Sequence, residues 1–312
     1  MTASYPYEPQ KADMTELILD TDIGTDVDDA LALGLVLGSP EATLLGVTTV
    51  YGDTLLRARL ARRLARFARP QITVPFIPGA EATLSGREVW WPGHEGKLFD
   101  DLDEEPVASD RDAVDFLVAS TAAAPGRVDV LAIGPLTNIA LALRRDPAFA
   151  RNTRRLVVMG GDFAAEGRIA EHNFRCDATA AREVFESELD ILVTGLDVTT
   201  RVALAGEEIE RIERAGAFGT ALRAEIEQFW RFHGKPWNNP HDPVAVLAGL
   251  RPDLFATRSS GVTILDSGEH PGLAIDTPDA EGTVRIVSGL DEQRVVDEVV
   301  DRITAAPGEG AA

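Results

Sequence analysis

Leu17-Ile18-Leu19-Asp20-Thr21-Asp22-Ile23-Gly24-Thr25-Asp26-Val27-Asp28-Asp29-Ala30, followed by the nearly all-apolar Leu31 to Leu37, joins a short apolar run, a turn crowded with acid and a segment of helical length. A strand, a turn and a buried helix in that order open a βα repeat. The alternation continues outward, with strands expected at Leu17 to Asp20, Leu44 to Thr49, Ile72 to Phe76, Val128 to Ile133, Leu156 to Met159 and Ile191 to Thr194. Helical periods lie between them, as in Thr54 to Ala68 with its arginine-rich outer face, and in Leu136 to Arg145, which stops before Asp146-Pro147. The pattern predicts an α/β fold: a single domain over residues 1–312, with a mostly parallel central sheet flanked by helices and flexible tails at 1–14 and 305–312.

Five carboxylates fall between Asp20 and Asp29. Capping of the helix start by Asp26 or Asp28 accounts for one or two of them, at about 1 kcal/mol each. The others would repel one another at a strand end and raise each other's pKa unless a cation compensates, so the cluster is read as a metal site. Oxygen donors without Cys or His select a hard ion, Ca²⁺ or Mg²⁺, and Ca²⁺ tolerates irregular coordination completed by carbonyls and water. An EF-hand is excluded, because Gly24 is fifth from Asp20 and the twelfth residue is Leu31.

Bulk properties narrow the partners. With Lys+Arg 30 against Asp+Glu 51, the net charge of −21 repels polyanions and concentrates cations, which argues against nucleic acid. The single cysteine, Cys176, rules out an internal disulfide and fits a reducing compartment. No apolar run approaches the length of a membrane span, and Met1 to Thr15 lacks an apolar export signal, so cytoplasm is the expected location. Two connections are long enough to serve as lids: Ile77 to Pro106, with Trp90, Trp91 and His94, and Gln228 to Pro240, with Phe229, Trp230, Phe232, His233 and Trp237. The aromatic residues of the second suit either a buried amphipathic helix or a surface for stacking.

Asp20 to Ala30 resembles the N-terminal signature of the inosine-uridine-preferring nucleoside hydrolase family. Gly134-Pro135-Leu136-Thr137-Asn138, Met159-Gly160-Gly161, Glu171-His172-Asn173 followed by Asp177, Leu196-Asp197-Val198-Thr199 and His241-Asp242-Pro243 are similar to further family motifs, in family order. The resemblance implies a calcium-dependent enzyme that hydrolyses the N-glycosidic bond of ribonucleosides, and a homo-oligomer, dimer or tetramer. It implies that Asp22 both ligates the metal and takes the proton of the attacking water. Asp29, Asp242 and the backbone carbonyl of Ile133 complete the protein ligands. Asp28, Glu171 and Asn173 stand beside the ribose, where a cationic transition state needs negative oxygens. The resemblance makes His241 the proton donor to the departing base, where a histidine before Asp-Pro would otherwise read as a satisfied helix-start residue. Met159 is either core filler or, with Gly160-Gly161 behind it, a substrate contact. His94, in a loop only loosely similar to the family's histidine-glycine loop, and Trp237 on the second lid join the substrate contacts.

The chain also departs from the family pattern. Thr25 to Val27 contains a two-residue expansion, which leaves Asp26 without a role or places it in the ribose role of Asp28. Asp53 stands where glycine-asparagine is usual, and there it holds ribose hydroxyls or reaches the metal's water. His172 replaces an aromatic residue. Two rival readings remain: a haloacid-dehalogenase-like phosphohydrolase, because Leu17 to Thr25 also reads as a strand followed by DxDxxT, and a nucleoside or sugar binder that has lost turnover. The first lacks a lysine in a strand-to-helix turn, since the chain holds only Lys11, Lys97 and Lys235.

Overall fold

The computed structural model describes residues 14–278, 282 and 284–307. Its strands are β1 (Thr15–Thr21), β2 (Ala42–Thr49), β3 (Phe76–Pro78), β4 (Val128–Ala132), β5 (Arg155–Met159), β6 (Ile191–Thr194), β7 (Phe255–Ile264), β8 (Ala274–Pro278) and β9 (Val284–Leu290). The helices between them are α1 (Asp28–Gly38), α2 (Thr54–Ala68), α3 (Ala113–Ala123), α4 (Thr137–Arg145), α5 (Phe149–Asn152) and α6 (His172–Cys176). They continue with α7 (Ala178–Phe185), α8 (Leu196–Thr199), α9 (Gly206–Glu213), α10 (Gly216–His233), α11 (His241–Leu250) and α12 (Glu292–Ala305). Among the described residues, no helix is long and apolar enough to cross a membrane.

One sheet runs in the order β3-β2-β1-β4-β5-β6-β9-β7-β8. From β3 to β9 neighbouring strands are parallel, and β7 then pairs antiparallel with both β9 and β8. Period-two alternation feeds two cores: Leu17 and Leu19 of β1 face one layer of side chains and Ile18 the other. Against the first pack α1, α2, α9, α10, α11 and α12, and against the second α3, α4, α5 and α7. After β1 the chain builds outward to β2 and β3 on one side, then returns to β4, β5 and β6 on the other. The strand order therefore reverses at β1, and the crevice beyond its carboxyl end is where such a sheet accepts a ligand.

Several boundaries differ from the sequence reading. The third strand lies at Phe76–Pro78 rather than Ile72 to Phe76. Pro75 has no N–H to pair, while Ile72 and Val74 pack on the core from irregular backbone. Strands β7 to β9 were not anticipated, because β7 is half-exposed and rich in polar residues and lacks clean alternation. The expected tail at 305 starts later, since α12 runs through Ala305 and Ala306 is buried. The remaining tail expectations, at 1–13 and 308–312, lie outside the described residues.

Candidate active site and metal centre

β1 delivers Asp20 and Asp22 to the crevice, and their fates differ. Asp20 is fully buried, and its Oδ2 accepts bonds from Thr48 Oγ1 (2.6 Å) and Asn138 Nδ2 (2.7 Å). Burial pushes its pKa up to about 7. An acid so enclosed cannot meet a phosphoryl group, which removes the structural basis of the phosphohydrolase reading. Asn138 itself is a network residue rather than a helix cap, since its Nδ2 also donates to Thr49 O and its Oδ1 accepts from Ala80 N.

Asp22 turns into a cavity of about 380 Å³ that also takes in Asp26, Asp28, Asp29, Ile133, Met159, Glu171, Asn173, His241 and Asp242. The crowding depends on Gly134: a Cβ there would come within 2.7 Å of Asp22 Oδ1. Asp28 and Asp29 occupy the first turn of α1, whose N-cap residue Val27 makes no side-chain cap bond. Asp26 accepts from the adjacent Val27 N (2.5 Å) and lies against the backbone N–H of Asp28. Capping thus leaves most of the cluster unexplained. Asp242, at the start of α11, arrives from the far end of the chain, and its backbone N donates to Asp28 Oδ2 (3.3 Å).

Carboxylate oxygens of Asp28, Asp29 and Asp242 lie within 4.8 Å of one another. Burial first, and then the charges of neighbouring aspartates, push all three well above the ordinary carboxylate range. Burial also raises Asp22, with the charges of Arg57 and His172 opposing it, and raises Asp26 to about 7. A buried, mutually repelling set of oxygen donors fits a hard divalent cation. The expected trio was Asp22, Asp29 and Asp242; the tight trio has Asp28 in place of Asp22, which lines the same cavity.

Around this floor, Asn173 Nδ2 donates to Ile133 O (3.0 Å) and Met159 O (3.2 Å), which fixes two carbonyls at the strand ends. Glu171 caps α6, accepting from Asn173 N, Phe174 N and Gly161 N at 2.8, 3.1 and 3.2 Å. His241 Nδ1 lies 2.7 Å from Thr199 Oγ1, and burial lowers its pKa to about 4. Cys176 is no nucleophile, because burial pushes its thiol up to about 12.

Both candidate lids reach the mouth, but in different forms. The first stays irregular and is tied down by Asp177, whose oxygens accept from Leu84 N (2.7 Å) and Ser85 N (3.0 Å). The second begins as the end of α10, stopped by Gly234 at a φ of 78°, and runs on irregularly to Pro240. They meet at Phe232, whose ring lies 6.2 Å from Trp90 and 4.8 Å from His94. Phe229 and Trp230 pack on the core as an amphipathic helix would, while Phe229, Phe232 and His233 also line the cavity, so both readings of that segment hold in part.

Three expected contacts stand apart from the cavity lining. Asp53 is exposed and caps α2, accepting from Leu56 N (2.9 Å). Trp237 stacks under Lys235 Nζ, 4.9 Å away. His94 stays behind the rim with Nε2 against Thr25 O at 2.9 Å. Conversely, Ile169 and Arg175 line the cavity and were not singled out, and Leu196, quoted only within a family motif, lines it too. Leu196 had a usable signal, since it follows the end of β6 almost directly; Ile169, in a polar loop, had none.

Residues 17–297 match the family model described as inosine-uridine preferring nucleoside hydrolase. The chain is 33% identical over 271 residues to uridine nucleosidase 1 of Arabidopsis thaliana, covering 81% of this chain and 79% of that one. It is 33% identical over 263 residues to the non-specific ribonucleoside hydrolase RihC of Salmonella agona, covering 81% and 84%. Among solved structures, the plant nucleoside hydrolase PpNRh1 superposes with a TM-score of 0.79 at 27% identity, over 93% of this chain and 99% of that one. The chain therefore belongs to the inosine-uridine preferring nucleoside hydrolase family and is an N-glycosyl hydrolase of ribonucleosides.

Proposed function

We propose that this cavity separates nucleobase from ribose using Asp22 as base, with Ca²⁺ held by Asp28, Asp29, Asp242 and the Ile133 carbonyl, and with Asp22 reaching the same ion. The observation that carries the reading is the meeting of Asp28 and Asp29 with Asp242, from opposite ends of the chain, in one oxygen-only cluster. Bound there, a divalent ion would acidify water and grip the vicinal hydroxyls of ribose. Asp22 takes the proton of the attacking water, a task suited to a carboxylate whose pKa burial has raised. Asn173 and Glu171 flank the sugar and favour the positive charge that develops on it. His241, oriented by Thr199, protonates the departing base as the imidazolium, a form that the surrounding carboxylates favour, and the aromatic rim of Trp90 and Phe232 excludes water above it.

The names of the relatives make uridine the first substrate to test. The reading also makes the protein a cytoplasmic homo-oligomer, in keeping with its family resemblance and single cysteine. Ribose release should be followed from uridine, cytidine, inosine and adenosine, with calcium and with chelator. Release that stops in chelator and returns with Ca²⁺ is the expected result; undiminished release in excess chelator would overturn the metal assignment.

A further inference from the structure

Arg57, in the first turns of α2, is fully buried. Burying a guanidinium normally requires a carboxylate partner. The other buried arginine among the described residues, Arg302, has two, Glu41 and Glu298. Arg57 makes no ion pair with a described residue. Its donors go instead to the loop that carries the acidic cluster: Nη1 to the carbonyls of Asp22 and of Ile23 (2.8 Å), and Nη2 to Thr25 Oγ1 (3.2 Å). Nε donates to Tyr51 O (2.7 Å), fixing a turn in which Tyr51 holds a φ of 71°. Trp91 of the first lid lies over the guanidinium at 4.8 Å.

One planar fork thus grips the Asp22 loop, the turn after β2 and a lid residue, a geometry that lysine cannot reproduce. The charge has a destination as well. The loop it grips carries Asp22 and leads into Asp28 and Asp29, which with Asp242 are all buried; Thr25 Oγ1 also donates to the buried Glu95 (3.1 Å), and among the described residues no other buried cation accompanies these carboxylates. We propose that Arg57 is a positioning residue that doubles as the resident counter-charge of the metal site: its fork shapes the Asp22–Thr25 loop, and its charge offsets the cluster before an ion arrives. The inference rests on the metal reading given above.

Melting temperatures of the full chain in chelator and in saturating calcium test it, using Arg57→Gln and Arg57→Lys. If arginine and ion compensate the same charges, Arg57→Gln lowers the melting point in chelator more than in calcium, and the calcium-induced rise widens by about 5 °C or more. Arg57→Lys keeps the charge, so its rise stays at the wild-type value while kcat falls about tenfold as the loop loses its fork. Equal losses for Arg57→Gln in both conditions would make Arg57 a plain structural clamp and overturn the proposal. Should Arg57→Gln fail to fold, Arg57→Lys decides, and a widened rise there overturns it. A wild-type protein whose melting point ignores calcium would remove the metal reading itself, a distinct failure.

Discussion

Replacing Asp22 by Asn removes a charge that burial opposes and the base that the proposed mechanism needs, so stability and turnover should move in opposite directions. We expect Asp22→Asn to lower kcat about a thousandfold while raising the melting point in chelator by a few degrees, checked by ribose release and thermal unfolding. Gly134→Ala should reach the same carboxylate from outside. The added Cβ would meet Asp22 Oδ1 at 2.7 Å and Val50 Cγ1 at 3.0 Å, and turnover should fall about tenfold or more with the helical signal intact. His241→Ala should cost about a hundredfold on uridine and little on an aryl riboside whose leaving group needs no proton; equal losses on both would remove its donor role. At this scale the sequence was readable where chemistry forbids an alternative, as with carboxylates crowded at a strand end. It misled where two uses share one signal: Asp53 after glycine suits a sugar contact and a helix cap equally, and only the direction of the backbone chose the cap. Arg57 was invisible because Leu55-Leu56-Arg57-Ala58-Arg59 reads as the edge of a solvated face. Even that face is less solvated than it looked, since Arg62, Arg63 and Arg66 converge on the buried Glu105.

Helix α10 shows the same limits one level up. Its aromatic residues pointed to a lid or to a packed helix, and the structure uses one face for each. Its buried face contains Glu225, whose Oε1 has no hydrogen-bond partner among the described residues and whose pKa burial lifts from 4.5 to about 7. A carboxyl raised in the folded state gives stability that is complete below its ordinary pKa and is lost as pH climbs through about 7. Glu225→Gln should therefore match wild type near pH 5 and exceed it at pH 8 by up to about 3 kcal/mol, measured by denaturant unfolding at both values. A constant difference across that range would show the acid to be solvated. The parallel strands β1, β2, β4, β5 and β6 were legible because burial on both faces leaves apolar runs, whereas β7 was not, because its half-exposed face tolerates serine, threonine and arginine. That edge still serves the site: Asp276 of β8 binds Arg168 (2.5 Å), next to the cavity-lining Ile169, and a Cβ on Gly272 would strike the backbone of Arg175 at 2.6 Å.

For the molecule as a whole, a net charge of −21 and a buried acidic floor should make its stability depend on divalent ion if the proposed metal site is filled. Calcium at a hundredfold excess over its dissociation constant should add about 3 kcal/mol, visible as a melting point that climbs with the logarithm of calcium concentration. A melting point flat across that titration would leave the acidic floor without its ion. Sodium chloride in chelator should recover only part of that gain, since bulk salt screens buried groups weakly. The long reach between Asp28 and Asp242 has one further consequence. During synthesis the early strands and α1 emerge first, carrying most of the acids but lacking the carboxylate and imidazole that α11 contributes. On the proposed roles, a nascent chain would hold half a chelate and no leaving-group donor, and hydrolysis would wait until α11 has left the ribosome.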